Sequence, residues 1–452
     1  MINKNIFREY DVRGIADTDL SDEFAELLGQ AFGSRIRQEN GKTVVMGRDV
    51  RESSPRLAAA LARGMSRAGL DVTDLGIIPT PGVYYAVAIL EADGGVVVTG
   101  SHNPIEYNGF KMQVGRASLH GDEIRALLTR IETKDFVEGT GTVSARSIQN
   151  EYEQMIVQKC RPARALKVVL DAGNGVAGPT ALSVFTKLGH DVTALYCEPD
   201  GRFPNHQPDP TVEAYMEDLK AKVLEVGADL GCGYDGDGDR IGIVDGKGRL
   251  LYGDQLLGLF TREVLERKPG SKVVFDVKCS QGLEEDIRAH GGEPIMWKTG
   301  HSLTKAKMKE EGAPLAGEMS GHMFFVDDFY GHDDAVYASA RFVAAQSRSG
   351  KSVADQVDSM PQYLNSPELR IECPDDRKFD IVEKLQAHFR KNHEVSEIDG
   401  ARVLFEDGWG LVRASNTQPA LALRFEARTE AGLAAVEAAF REALAPYPEV
   451  LW

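Results

Sequence analysis

Three times along the chain a β-branched apolar run breaks into a loop of glycine, aspartate and serine and then takes up a helical period. The starts are "TVVMGRDVRESSP" from Thr43, "KVVLDAGNGVAG" from Lys167 and "KVVFDVKCSQG" from Lys272. Each leads through a helix to a glycine turn and a further strand, "AGLDVTDLG", "LGHDVTALY" and "HGGEPIMWK". That alternation predicts βαβ layers with mostly parallel sheets. In the first repeat Ser54 is expected to cap the helix and Pro55 to open it, with Leu57, Leu61 and Met65 on its buried face and Gly69 ending it. Every repeat closes on an apolar stretch that opens into a polar glycine loop: "ADGGVVVTGSHNP", "ADLGCGYDGDGDR" and "APLAGEMSGH". Loops beyond the carboxyl ends of parallel strands are where α/β sheets collect ligands, so the three are expected to converge on one cleft. After Met360 the pattern changes to short strands and two helices, "FDIVEKLQAHFRK" and "EAGLAAVEAAFREAL". The expected architecture is three similar α/β domains with mixed, mostly parallel sheets (1–147, 148–249, 250–361) and a C-terminal α+β domain (362–452). One continuous doubly wound sheet is the competing arrangement.

Length supports several units, since 452 residues with 42% hydrophobic content exceed one core. The formal net charge of -17 argues against a general affinity for nucleic acid or anionic membranes, so an anion site has to be a focused pocket. Five scattered cysteines without a Cys-x-x-Cys pair suit reduced thiols better than disulfides or zinc. With no apolar leader at the N-terminus and no apolar run long enough to span a bilayer, the expected location is the cytoplasm.

The chemistry concentrates in the loops. In "DGDGDR", Asp235, Asp237 and Asp239 alternate with Gly236 and Gly238, which let the backbone curl until three carboxylates face one hard cation. A calcium EF-hand requires glycine at position six and glutamate at twelve, where this chain has Arg240 and Gly246. A few carboxylates with room for a phosphate oxygen are more typical of magnesium. The overlapping "GCGYDG" matches a dinucleotide fingerprint, but carboxylates and the strand "RIGIVDG" follow it instead of a helix start. In "TGSHNP", Ser101 lacks the G-x-S-x-G setting of a hydrolase, and His102, adjacent in sequence, is poorly placed as its base. Alone, "SHNP" reads equally as an asparagine-proline turn. A serine near a magnesium loop suits phosphoryl transfer, in which positioning and charge neutralisation do most of the work.

Four separated motifs, "TGSHNP" (99–104), "DGDGDR" (235–240), "GEMSGH" (317–322) and "RASNTQP" (413–419), together resemble the α-D-phosphohexomutases, and within them the bacterial phosphomannomutase/phosphoglucomutase branch. The resemblance implies four domains around a central cleft and a phosphoserine at Ser101. It implies Mg2+ held by Asp235, Asp237, Asp239 and an oxygen of phosphorylated Ser101, and hexose 1,6-bisphosphate as intermediate and activator. Arg240 and Lys278 correspond to charge-neutralising groups, and Glu318, Ser320 and His322 to sugar contacts. Arg413, Ser415, Asn416 and Thr417 correspond to a clamp on the non-reacting phosphate, assisted by Arg424. Tyr10 and Arg13 resemble an N-terminal active-site pair, and Lys111 and His301 basic residues near the reacting hydroxyl. The implied activity interconverts the 1- and 6-phosphates of glucose and mannose, with small hexose phosphates as partners. A phosphoglucosamine mutase is the alternative within the family, although that branch resembles "ASHNP" and "GEQSGH". A non-catalytic metal- or nucleotide-binding protein is the alternative outside it.

Overall fold

The structure, a computed structural model, describes residues 2–415 and 419–450. Among the described residues the chain forms four layers of helix and strand with four separate sheets, divided between two compact units. One unit comprises Met1–Leu256 and Ser320–Val357, the other Leu257–Met319 and Asp358–Trp452.

The first unit holds two sheets of one design. In the first, strands Gly94–Val98, Thr43–Arg48, Asp71–Ile77 and Val143–Ala145 run parallel, in that order. Strand Tyr107–Val114 returns antiparallel to Gly94–Val98 and in turn pairs with Val12–Ile15. In the second sheet, Leu230–Tyr234, Lys167–Asp171 and Asp191–Leu195 are parallel, and Ile241–Asp245 returns antiparallel to Leu230–Tyr234. Both chemical loops therefore sit where a buried parallel strand ends and the chain reverses: "TGSHNP" between Gly94–Val98 and Tyr107–Val114, "DGDGDR" between Leu230–Tyr234 and Ile241–Asp245. Lys111 lies opposite Val97 in the first reversal and is buried.

Helix Ser54–Arg67 buries Leu57, Leu61 and Met65 and ends before Gly69, which takes a positive φ of 82°. Its start differs from expectation. Ser54 lies inside the helix, the N-cap is Ser53, and neither caps with its side chain. The Ser54 hydroxyl donates to Asp49 Oδ1 at 2.5 Å. Asp49 is a buried carboxylate at the strand end, and satisfying a buried charge outweighs a local cap.

In the second unit, strands Glu293–Trp297, Lys272–Asp276 and Leu315–Gly317 are parallel. The C-terminal sheet is antiparallel around Gly408–Ala414 and Ala420–Ala427, covered by helices Lys378–Phe389 and Glu430–Leu444 over Ile381, Leu385, Phe425 and Phe440. Arg402, buried beneath Trp409, ties the two sheets together by donating to the carbonyls of Val277 and Cys279 at 2.8 and 2.9 Å. All five cysteines are buried thiols outside any disulfide. Among the described residues no helix is long and apolar enough to cross a membrane.

Candidate functional site

Ser101 follows the strand exit in a left-handed conformation, φ 49°, that a serine adopts only when its surroundings impose it. The imposing groups are Asp49 and Arg51. Arg51, 1% exposed, donates to the carbonyls of Ser101 (2.9 Å), Asn103 (2.6 Å) and Pro104 (2.8 Å). Asp49 accepts from the Thr99 hydroxyl at 2.9 Å and the Gly100 amide at 3.0 Å, and it pairs with Arg51 Nε at 3.2 Å. Gln207 adds amide bonds to the carbonyls of His102 and Asn103. The turn is thus gripped by side chains from distant loops.

The "DGDGDR" loop meets this turn directly. A Cβ on Gly236 would lie 2.4 Å from the Ser101 carbonyl oxygen, so only glycine permits the approach. Amides at the starts of three helices donate to consecutive carbonyls of the loop: Val176 to Gly236 (3.1 Å), Thr80 to Asp237 (2.9 Å) and Ala335 to Gly238 (3.1 Å). Those bonds use donors that a helix start leaves unpaired, and they fix the loop backbone.

Within it the three carboxylates have distinct duties. Asp235 Oδ1 accepts the amides of Gly238, Asp239 and Arg240 at 3.0 to 3.1 Å, while Oδ2 accepts the Ser101 hydroxyl at 2.8 Å. Lys111 Nζ bridges Asp237 Oδ2 at 2.7 Å and Asp239 Oδ2 at 2.5 Å, and the Thr80 hydroxyl adds a 2.7 Å bond to Asp237 Oδ2. The outer oxygens, Asp237 Oδ1 and Asp239 Oδ1, are buried and have no hydrogen-bond partner. The three carboxylates crowd a desolvated site whose compensating charges are the Lys111 ammonium and, toward Asp235, the Arg240 guanidinium. Burial, and then the charges of Asp237 and Asp239, push the Asp235 carboxyl well above its ordinary range. Burial opposes the charge on Lys111, yet Asp237 and Asp239 hold its ammonium well above the usual value. Closely spaced ligand oxygens, two of them orphaned, fit a hard divalent cation.

On the other side of Ser101, His102 Nδ1 lies 3.0 Å from the serine oxygen, and Arg240 Nη1 is 3.4 Å from His102 Nε2. Arginine only donates, so Nε2 accepts and Nδ1 carries the proton toward Ser101. Burial, and then the nearby Arg240, Arg13 and Lys111 charges, depress the His102 imidazole well below its ordinary value. Arg240 Nε also donates to His322 Nε2 at 3.0 Å, and His322 Nδ1 lies 2.8 Å from Asp333. Arg13, opposite Gly109 on strand Val12–Ile15, pairs with Asp11 at 2.5 Å. Tyr10 precedes that strand.

The "GEMSGH" motif straddles the unit boundary: Ser320 and His322 belong to the first unit, Glu318 to the second. In the second unit, Glu318 is buried, and its Oε1 accepts the Gly300 amide at 3.1 Å and the Thr304 hydroxyl at 2.7 Å. Gly300 has φ 134°, a region that side chains rarely enter, and it leads into helix His301–Glu311, whose first residue is His301. Lys278 pairs with Glu368 at 3.2 Å and holds that carboxyl down to about 2. Arg424 donates to the Lys278 carbonyl at 2.8 Å, and Arg413 donates from Nε to Asp399 at 3.0 Å. The Ser415 carbonyl accepts from Lys378 at 2.6 Å. Asn416 and Thr417 lie outside the described residues.

Family models for phosphoglucomutase/phosphomannomutase match along the chain: α/β/α domain I at residues 4–138, domain II at 148–248, domain III at 252–363 and the C-terminal domain at 368–443. The chain belongs to the phosphoglucomutase/phosphomannomutase family. It is 45% identical over 441 residues to the phosphomannomutase/phosphoglucomutase of Pseudomonas putida, covering 97% of this chain and 95% of that one. It is 42% identical to the phosphoglucomutase of Neisseria gonorrhoeae, covering 100% and 99%. A crystal structure of a family protein from Burkholderia thailandensis superposes with a TM-score of 0.94 at 43% identity over 100% of both chains. The protein is therefore an enzyme, a phosphohexomutase.

In this phosphohexomutase the motif residues are surrounded by partners that the motifs do not announce. Asp49 and Arg51 are part of "GRDVRESSP", so their place at a repeat's strand exit was a usable signal. Thr80 had none beyond "IPTPG", because its partner lies 157 positions away. Thr80→Val is expected to leave the fold intact and raise the divalent-cation concentration for half-maximal activity about 3- to 10-fold, since Asp237 loses one of its two fixed donors. Activity titrated with Mg2+ measures it, and an unchanged midpoint refutes the role.

Proposed function

We propose that the phosphohexomutase interconverts the 1- and 6-phosphates of glucose and mannose through phospho-Ser101 and a hexose 1,6-bisphosphate. The observation that carries this reading is the 2.8 Å bond of the Ser101 hydroxyl to Asp235, beside two buried carboxylate oxygens without hydrogen-bond partners. A nucleophile set directly on a cation site needs no strong base for phosphoryl transfer. Phosphoserine gives its phosphoryl group to the free sugar hydroxyl: the bond from Oγ to phosphorus breaks, a bond from the sugar oxygen to phosphorus forms, and the proton lost by the sugar hydroxyl is matched by one gained at Ser101 Oγ, which returns to the hydroxyl. The bisphosphate turns end for end and returns its other phosphoryl group to Ser101.

Asp235, Asp237, Asp239 and a phosphoserine oxygen would hold Mg2+, which supplies charge neutralisation at the phosphoryl oxygens. Arg240 and Lys278 add positive charge there, Tyr10 and Arg13 form an N-terminal active-site pair, and Lys111 and His301 attend the reacting hydroxyl. Glu318, Ser320 and His322 read the sugar. Arg413, Ser415, Asn416, Thr417 and Arg424 grip the phosphate that is not reacting. The domains are taken as 1–147, 148–249, 250–361 and 362–452, and the setting as cytoplasmic, without nucleic-acid partners.

Turning the bisphosphate end for end roughly exchanges the 3- and 4-hydroxyls, equatorial in both glucose and mannose, so the same contacts serve both orientations. The names of the Pseudomonas and Neisseria relatives support those two sugars. Specificity constants for glucose and mannose 1-phosphates are expected to agree within about tenfold, with galactose 1-phosphate, whose 4-hydroxyl is axial, far poorer. Measured under one Mg2+ and bisphosphate condition, a gap beyond about a hundredfold, or good use of galactose, would overturn the sugar assignment. Preference for glucosamine phosphates would favour the phosphoglucosamine mutase alternative.

A further inference from the structure

Asp399 stands in the loop before strand Ala401–Leu404, outside every motif, and joins two elements to which the proposed function gives different tasks. Its Oδ2 accepts Arg413 Nε at 3.0 Å, on the strand that ends in the phosphate clamp. The same oxygen accepts the Thr299 amide at 3.1 Å, in the turn that presents His301. All of these residues belong to the second unit.

That turn is held by carboxylates from three places. The Thr299 hydroxyl donates to Asp276 at 3.1 Å, Gly300 N to Glu318 at 3.1 Å, and Thr299 N to Asp399. Asp276 ends a strand of the third sheet and Glu318 follows another. Only Asp399 comes from the C-terminal layer. Backbone sets its position: a Cβ on the next residue, Gly400, would lie 2.3 Å from the Val412 carbonyl, so glycine lets this loop lie flat against the strand that carries Arg413. A carboxylate on Nε fixes the plane of a guanidinium, while the terminal nitrogens that meet phosphate bidentately lie at the other end of the fork. Moving Arg413 onto or away from a phosphate therefore pulls on the oxygen that also holds the Thr299 amide.

We propose that Asp399 is a positioning residue that couples the phosphate grip of Arg413 to the Thr299–His301 turn and, through Gly300, to the Glu318 carboxylate. Phosphate bound at Arg413 then steadies the turn that presents His301, so the grip on the non-reacting phosphate and the order of that turn support one another. This rests on the clamp reading of Arg413.

A double-mutant cycle on the full chain tests it, with glucose 1-phosphate as substrate. Asp399→Asn retains an acceptor for the Thr299 amide but loses the charge that orients Arg413, and Asp399→Ala loses both. Asp399→Asn is expected to raise KM about 3- to 10-fold with kcat nearly unchanged, and Asp399→Ala to lower kcat also. In an Arg413→Ala background the Asn substitution should cost less than about twofold, because there is no guanidinium left to orient. Thermal melts set apart a folding defect, and if the Ala variant melts early the Asn cycle alone decides. Losses that multiply in the double variant, or an Asn variant with wild-type constants, overturn the coupling. A wild-type KM in Arg413→Ala alone would instead overturn the clamp reading beneath it.

Discussion

Ser101→Ala is expected to lower kcat/KM by about 10³-fold or more while the protein still folds, because it deletes the only atom proposed to carry the phosphoryl group. The hydroxyl makes two contacts, donating to Asp235 and accepting from His102, so the fold loses little. The grip on the turn comes from Arg51 and Asp49 acting on backbone and on Thr99, and those bonds survive the substitution. The expected melting temperature is within a few degrees of wild type. Intact-mass measurement after incubation with glucose 1,6-bisphosphate should show one added phosphate on part of the wild type and none on the variant. Near-normal turnover, or phosphate retained on the variant, would remove Ser101 from the mechanism. A wild type that never gains phosphate would favour a non-catalytic metal-binding role.

Asp237→Asn is expected to lower kcat by about 10²-fold or more and to raise the Mg2+ requirement at least tenfold. Asp237 has one oxygen bound to Lys111 and Thr80 and the other buried without a partner. The substitution removes charge from the cluster and replaces an acceptor with a group that also donates. Lys111 keeps its contact to Asp239, so the loop has a reason to stay folded. A ligand that binds only the folded protein stabilises it by mass action, so added Mg2+ should raise the melting temperature of the wild type more than that of the variant. Equal Mg2+ shifts, with wild-type dependence of activity, would make the cluster purely structural.

Sequence reveals both loops, but not how their atoms are used. Alternating aspartates and glycines in "DGDGDR" state the carboxylate cluster outright, because neighbouring residues on a curled backbone are close whatever the rest of the chain does. Ser101 was legible for the same reason: a buried apolar run ending in "TGSHNP" places a serine beyond a strand exit. What the cluster does with its six oxygens was not legible. Lys111 and Thr80 each take the Oδ2 of Asp237 from 126 and 157 positions away and so decide which oxygens remain for a cation. The tautomer of His102 likewise depends on Arg240, 138 positions distant.

Strand periods, glycine turns and the repeated strand exits determined that the chain builds successive α/β layers with chemistry at their carboxyl ends, since those signals depend on neighbours a few residues apart. Tertiary structure alone decided that the Ser54 hydroxyl serves a buried carboxylate rather than a helix end. It also decided that Arg51 shapes the serine turn, that Glu318 has one oxygen committed to the Gly300 amide and Thr304, and that Asp399 serves Arg413 and Thr299 together. The physical reason is common to all of them. A buried charge or polar atom must find a partner, and which partner it finds is set by whatever the fold brings within about 3 Å, a distance that bears no relation to separation along the chain.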